Sequence, residues 1–343
     1  MKVGILNITG YAGLELARIL TRHKEVELTV VTGRSEAGKP LGDVFPHLGS
    51  LGLTIQTEIT EDVDLVFSAL PHQSSAEVCV PLLEMGVRVI DISADFRLKS
   101  QDEYELWYGV KHPHPEHLDQ AVYGLPEIYR AQISDGTLIA NPGCYPTSII
   151  LGLAPALKAG IIDPEIIADS KSGVSGAGRS GNVTYNFSEV NESVRAYGLE
   201  GHRHLPEIVQ ELNAVSKDLA RVTFLPHLIP MTRGILSACY APIRDSMLPH
   251  GEKGLTEVRA LYREFYENEP FVTIAEQPPA TKHTAGNNQC LIYPTIDHRT
   301  NRLIVISCLD NLVKGAAGQA VQNMNLMLKF PETEGLEALA LYP

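Results

Sequence analysis

No run of apolar residues in the chain approaches the roughly 20 needed to cross a bilayer as a helix, so no membrane span is expected. The first twenty residues lack the basic stretch, long apolar run and small-residue cleavage site of a secretion signal. They hold a glycine-punctuated strand and turn instead, which predicts a cytoplasmic protein. Cysteine is scarce and unpatterned: there are five, with no CxxC and no Cys/His pair at zinc spacing. That suits a reducing compartment and predicts neither a disulfide nor a structural metal. Basic residues are in deficit, 28 Lys and Arg against 41 Asp and Glu, for a net charge of −13. Nucleic acid and anionic membranes both require a basic face and are not expected partners, whereas a small anion can still bind at a local arginine cluster. No internal repeat or low-complexity segment occurs. What remains is ordinary globular composition, 44% hydrophobic and 20% charged over 343 residues, enough for two domains with their own cores.

The pattern up to about residue 145 alternates. Strands are predicted at 3–8, 26–32, 63–70, 87–92 and 138–141, with helices at 13–21 and 76–84. Continuous apolar strands alternating with helices imply a buried parallel sheet covered by helices, an α/β Rossmann-type domain. From about residue 165 strand-like runs dominate, at 166–171, 222–225, 235–241, 291–296 and 303–309, the last two joined by a polar turn at 297–301. These predict an α+β domain with a mostly antiparallel sheet. The stretch 314–329 is again helical, with Ala317, Ala320, Val321, Met324 and Leu328 on one stripe able to pack on the first domain. The expected division is 1–145, completed by a C-terminal helix at about 312–343, and 146–311.

One cysteine differs from the rest. Cys144 stands in Asn141-Pro142-Gly143-Cys144-Tyr145-Pro146-Thr147, between a β-like run at 137–140 and an apolar helical run at 148–157, which places its thiol at a helix N-terminus. Unpaired N–H groups and the positive end of the helix dipole favour thiolate over thiol there, so Cys144 is a candidate nucleophile. Pro146 suits a helix start because it has no N–H to lose. Cys79, Cys239, Cys290 and Cys308 lie in apolar or strand-like surroundings and read as small buried hydrophobes.

The opening Gly4-Ile5-Leu6-Asn7-Ile8-Thr9-Gly10-Tyr11-Ala12-Gly13 ends a strand and starts a helix, the context in which a glycine-rich turn accepts a phosphate. A strict GxGxxG would need glycine at position 7. Asn7 is among the few residues that tolerate a left-handed turn, so the loop survives. After the second strand the acidic residue typical of NAD sites is missing, and Thr32-Gly33-Arg34-Ser35-Glu36 offers a guanidinium and a hydroxyl suited to a 2′-phosphate. NADP is therefore favoured, with Glu36 and a merely solvated Arg34 as the competing reading.

Together with the cysteine motif and Gly10-Tyr11-Ala12-Gly13-Leu14-Glu15-Leu16, the segments Ser93-Ala94-Asp95-Phe96-Arg97, Ser172-Gly173-Val174-Ser175-Gly176-Ala177-Gly178-Arg179, Gly201-His202-Arg203-His204 and Asp310-Asn311-Leu312-Val313-Lys314-Gly315 resemble the N-acetyl-γ-glutamyl-phosphate reductase family nearly end to end. The resemblance implies a semialdehyde-dehydrogenase-like, glyceraldehyde-3-phosphate-dehydrogenase-like enzyme of arginine biosynthesis. Its reaction is NADPH-dependent reduction of N-acetylglutamyl 5-phosphate to the 5-semialdehyde and phosphate. Asn7 departs from the commoner glycine, in the cofactor loop only.

For that reaction an acyl phosphate is best moved to a thiol first, with Cys144 as nucleophile and a thiohemiacetal oxyanion forming after hydride transfer. The resemblance selects His202 as the acid or donor for that oxyanion over His204. In an extended segment the two histidines would point to opposite sides. Arg97, Arg179 and Arg203 are candidates for the substrate phosphate and carboxylate, their division left open. Gly10, Tyr11, Ala12 and Gly13 with Arg34 and Ser35 are candidates for NADP(H). The family places Ser175, Gly176 and Ala177 near the nicotinamide phosphate, and Asn311 is a candidate for the carboxamide. Related reductases of aspartyl or carrier-bound aminoadipyl phosphate share nucleophile and cofactor. A non-catalytic NADP-binding sensor would need neither Cys144 at a helix start nor a second anion-binding domain, and a purely structural protein leaves the glycine loops unexplained. A homodimer or homotetramer is expected through the long strands of the second domain.

Overall fold

The computed structural model describes residues 1–179 and 181–343. It divides into two compact units, Met1–Gly143 with Ala316–Ala338, and Cys144–Gly315 with Leu339–Pro343. The chain thus enters the second unit at Cys144 and leaves it after Gly315. The last five residues, which the sequence reading grouped with the first domain, return to the second unit, where Leu341 N donates to Ala285 O at 2.8 Å.

The first unit is built on seven strands: β1 (Lys2–Leu6), β2 (Glu27–Thr32), β3 (Ile55–Gln56), β4 (Leu65–Ser68), β5 (Arg88–Asp91), β6 (Val122–Tyr123) and β7 (Leu138–Ala140). They are all parallel, in the order β3-β2-β1-β4-β5-β7-β6. Parallel strands covered on both faces must be apolar on both, and Val3, Ile5, Leu65, Val66 and Phe67 are all fully buried. Strand order reverses between β1 and β4, which opens a crevice at their carboxyl ends, the position where such sheets bind ligands. The helix Tyr11–Leu20 closes tightly on this edge because Gly13 has no side chain; a Cβ there would lie 2.6 Å from Asn7 O. Asp95 organises the next helix, Ser75–Glu84, by accepting the N–H groups of Gln73, Ser75 and Ala76 at 2.7 to 3.1 Å and the Tyr104 hydroxyl at 3.0 Å. Beneath it, burial and then the Asp95 charge raise the Asp91 carboxyl above the ordinary carboxylate range.

The second unit holds a mixed sheet of β8 (Glu165–Ser172), β9 (Arg195–Ala196), β10 (Arg221–Leu228), β11 (Ile235–Pro242), β12 (Val272–Ile274), β13 (Cys290–Asp297) and β14 (Arg302–Leu309), in the order β12-β13-β14-β11-β8-β10-β9. The five strand runs and the 297–301 turn expected from sequence are present. Four pairings are antiparallel, while β8/β10 and β12/β13 are parallel. The short strands β3, β6, β9 and β12 span too few residues to show periodicity and were not foreseen.

The helix Cys144–Lys158 lies against this sheet, with every residue from 145 to 157 buried. Ser148 donates to Ser237 at 2.6 Å, and Ser170 and Ser237 lie 2.7 Å apart, so a small polar ladder marks the contact. Pro155 interrupts the helix without unsatisfied groups. It has no N–H for Leu151 O, and the Tyr266 hydroxyl takes that carbonyl at 2.6 Å while Tyr262 takes Gly152 O at 2.8 Å. The helix that begins at Cys144 is thereby tied to its surroundings through its middle turns. The predicted helix at 314–329 resolves into a π-helical turn, Val313–Ala317, and an α-helix, Gly318–Met327, that packs in the first unit on the helices Tyr11–Leu20 and Pro126–Asp135.

Candidate active site

Cys144 is the first residue of its helix. It is also the one cysteine with partial exposure, since Cys79, Cys239, Cys290 and Cys308 are buried. Burial raises the thiols of Cys79, Cys239 and Cys308, the last two to about 12, which keeps them protonated and inert. Backbone presses closely on the candidate nucleophile. A Cβ at Gly315 would lie 2.7 Å from Cys144 Cβ, and Gly315 N is fixed to Asp310 O at 2.9 Å within the π-helical turn.

An aromatic cage surrounds this helix start in the second unit. The Tyr145 ring packs edge-on against His202 (5.8 Å between centroids), His204 (6.0 Å) and Phe224 (5.3 Å). The expected opposition of His202 and His204 does not occur. The segment is not extended, because His204 is already in helical conformation as the cap of Leu205–Val215, and the two rings lie 4.8 Å apart. The His204 N–H donates to His202 Nδ1 at 3.1 Å, which fixes the proton of neutral His202 on Nε2. Burial, and then the Arg203 charge, lower the His202 pKa from 6.5 to about 4. At neutral pH His202 is therefore an Nε2–H donor and not an imidazolium.

In the first unit, a cavity of about 520 Å³ lies at the β1/β4 crevice, lined by Asn7 and Thr9, by Gly33, Arg34 and Ser35, and by an apolar wall from Ile59, Leu70, Pro71, Val78 and Leu82. Asn7 takes the left-handed conformation expected of it, φ 63°, and is braced by donating to Ala69 O at 2.8 Å while accepting from Thr9 Oγ1 at 2.9 Å. The lining suits an adenine nucleotide: a flat apolar wall for a base, and Arg34 and Ser35 for a phosphate. Glu36, the residue that argued against this, pairs instead with Lys39 at 2.7 Å. Glu58 also lines the cavity and sets a negative charge on one side of it. Gly10, Tyr11, Ala12 and Gly13 form the cap and first turn of the adjacent helix and are not part of the lining.

The remaining candidates are dispersed. The Asn311 amide is engaged on both sides, accepting from Gly234 N at 2.8 Å and donating to Ser175 Oγ at 3.0 Å, so it ties two loops together. Gly176 and Ala177 are exposed beside them. Arg97 is buried, with Nε on Asn141 O at 2.8 Å and Nη2 on Ile92 O at 2.7 Å, whereas Arg179 and Arg203 are exposed. Sequence patterns missed Tyr197, whose hydroxyl lies 3.0 Å from that of Tyr145, because 52 residues separate them. They also missed the apolar wall from Leu70 to Leu82, which reads as ordinary helix and loop.

Residues 2–136 match the family described as semialdehyde dehydrogenase, NAD binding domain, and residues 144–311 the semialdehyde dehydrogenase, dimerisation domain. A relative from Dehalococcoides mccartyi, named N-acetyl-gamma-glutamyl-phosphate reductase, is 57% identical over 100% of this chain and 99% of its own. A relative of the same name from Geobacter metallireducens is 50% identical over 100% of both chains. Among solved structures, an aspartate semialdehyde dehydrogenase with NADP from Candida albicans superposes with a TM-score of 0.72 at 16% identity, covering 96% of this chain and 98% of that one. Aspartate semialdehyde dehydrogenase II from Vibrio cholerae gives 0.71 at 18%, with the same coverage. At such identities these likenesses speak for the fold alone.

His202 is expected to stay neutral down to acidic pH, with a titration midpoint near 4. Its folded pKa lies below the free value of 6.5, so the unfolded chain binds the extra proton first and His202 withdraws stability as pH falls from 6.5 towards 4. Two-bond proton–nitrogen correlation spectra will show the Nε2–H tautomer at pH 6; a midpoint at 6.5 or a doubly protonated ring at pH 6 would contradict the assignment.

Proposed function

The chain belongs to the N-acetyl-γ-glutamyl-phosphate reductase family of semialdehyde dehydrogenases, and on that premise we propose how its own residues carry the reaction. The enzyme reduces N-acetyl-L-glutamyl 5-phosphate to N-acetyl-L-glutamate 5-semialdehyde and phosphate, a step of arginine biosynthesis, with NADPH. The observation that carries the mechanism is Cys144 as the first residue of its helix, partly exposed, with the ring of the next residue, Tyr145, packed on His202 at 5.8 Å between centroids. The Cys144 thiolate attacks the acyl carbon; the C–O bond to phosphate breaks with its electron pair, and the phosphate takes up a proton from solvent. The acyl group is left as a thioester, which accepts a hydride far better than the carboxylate does. Bound NADPH supplies that hydride. The carbonyl oxygen then carries the negative charge, and a neutral imidazole N–H stabilises it without having to give up its proton. Collapse expels the Cys144 thiolate and releases the aldehyde, so sulfur ends as it began.

Arg34 and Ser35 would hold the 2′-phosphate of NADPH and the apolar wall its adenine, while Gly10 to Gly13 form the adjacent helix start. Ser175, Gly176 and Ala177, joined to Asn311 through the Asn311 amide bond to Ser175 Oγ, would meet the nicotinamide end of the cofactor. Arg97 is held rigidly by two carbonyls and suits the compact phosphate of the substrate; the exposed Arg179 and Arg203 suit its carboxylate. In the assay run backwards, N-acetylglutamate semialdehyde reduces NADP only when phosphate is present, and Cys144→Ser lowers the rate by about 10³-fold or more. Phosphate-independent turnover, or an equal rate with aspartate semialdehyde, would overturn the assignment.

The enzyme works in the cytoplasm, which five cysteines outside any disulfide favour, and as a homodimer. No helix among the described residues is long and apolar enough to cross a membrane. The support for a dimer is the second sheet. On β8 the residues Ile166, Ala168 and Ser170 are buried, but Ile167 between them is 43% exposed, and Leu236, Tyr240, Ile304 and Ile306 alternate likewise on β11 and β14. Sedimentation velocity should give a dimer for the parent chain and a monomer for Ile167→Asp; a monomeric parent at micromolar concentration would refute this assembly.

A further inference from the structure

The aromatic cage contains a hydroxyl that the mechanism above does not use. Tyr197 follows the edge strand β9, and its N–H donates to Pro226 O on β10 at 3.1 Å, which anchors it to the sheet. The chain then turns back at Gly198, φ 62°, where a Cβ would lie 3.3 Å from both Cβ and Cδ2 of His202. Tyr197 and His202 are thereby brought together, ring centroids 5.6 Å apart. The Tyr197 hydroxyl meets that of Tyr145, the neighbour of Cys144 in sequence, at 3.0 Å. We propose that Tyr197 is a second hydrogen-bond donor to the acyl oxygen carried on Cys144, oriented for that purpose by Tyr145. The inference rests on the thioester chemistry given under Proposed function.

Two phenol protons are present in this pair, and the bond between the hydroxyls uses one. When Tyr145 donates in that bond, the Tyr197 proton is directed to a third partner. Both phenols respond to the site's charge. Burial raises Tyr197 to about 12, the Tyr145 hydrogen bond lowers it and the charge of Cys144 raises it; burial, then Tyr197, lift Tyr145 further still. Tyr197 is the more acidic of the two, hence the better donor, and it stays protonated throughout the working range. No bond to Tyr197 is made or broken. Its proton is shared more strongly as the hydride adds and charge reaches the oxygen, then relaxes when the thiolate leaves. Two convergent donors, Nε2–H of His202 and O–H of Tyr197, form the arrangement that stabilises tetrahedral oxyanions in acyl transfer.

Tyr197→Phe keeps the ring against His202 and removes only the hydroxyl. Phosphate-dependent oxidation of N-acetylglutamate semialdehyde should show kcat lowered by about 10²-fold, as for loss of one oxyanion donor, with KM for the aldehyde little changed. The rate of Cys144 alkylation by iodoacetamide should equal that of the parent, since neither fold nor thiol is altered. A kcat within about twofold of the parent would overturn the proposal, being far less than such a donor contributes. So would a parallel fall in alkylation, which would assign the hydroxyl to the sulfur or to packing. Tyr145→Phe leaves the donor present but unoriented and should lose less; a larger loss than for Tyr197→Phe would make Tyr145 the donor. Absence of turnover by the parent chain would instead remove the reductase reading and this inference with it.

Discussion

A reactive sulfur must be close to solvent and to a positive electrostatic end, yet held by something that does not move, and the first residue of the Cys144–Lys158 helix meets these demands together. Its position is fixed from behind: all of 145–157 is buried, and the carbonyls that Pro155 disturbs are taken by Tyr262 and Tyr266. It is also fixed from the side, where the Gly315 backbone sits so near that a methyl group would meet Cys144 Cβ at 2.7 Å. Hydrogen bonds within the first unit serve the segment just before it, since Asn141 accepts from Arg97 through its carbonyl and donates to Ala316 O through its side chain. Removing any of these leaves the thiol present but loose, and misplacement by about 1 Å is enough to slow an enzymatic step by roughly two orders of magnitude.

Electrostatics divides labour within the cage. Burial is the largest influence on His202, Tyr145 and Tyr197 alike, and it drives all three towards their neutral forms. Neutral groups that point N–H or O–H bonds at a developing oxyanion need no reorganisation when the charge arrives. In the proposed mechanism the oxyanion is met by oriented dipoles, and a histidine lowered to about 4 offers a neutral N–H for that purpose.

Much of the scaffold was legible because its causes are local or periodic. Continuous apolar strands marked the buried parallel sheet, the glycine ahead of Cys144 and the proline after it marked a helix start, and Asn7 was recognisable as a residue tolerant of φ 63°. Other features have causes that lie far along the chain. Gly13 looks like a phosphate-binding glycine, yet its evident work is to let a helix approach Asn7 O. The helix Gly318–Met327 carries Gln319, Gln322, Asn323 and Asn325, all buried; Asn323 donates to Gly124 O and Asn141 Oδ1, partners that no spacing announces. The joint placement of His202 and His204 followed from a turn that alternation along an extended segment does not foresee. The fold was therefore readable from pattern, while the donor set around the sulfur required geometry.

The claim on which the account stands is that the acyl group passes through Cys144. Incubating the enzyme with N-acetylglutamate semialdehyde and NADP in the absence of phosphate should halt the reverse reaction at the thioester, because its acceptor is missing. Mass spectrometry of rapidly acid-quenched, digested protein should then find the N-acetylglutamyl group on the Cys144 peptide, removed on adding phosphate. An enzyme that turns over with phosphate but never shows that adduct, or carries it on another residue, would contradict the account.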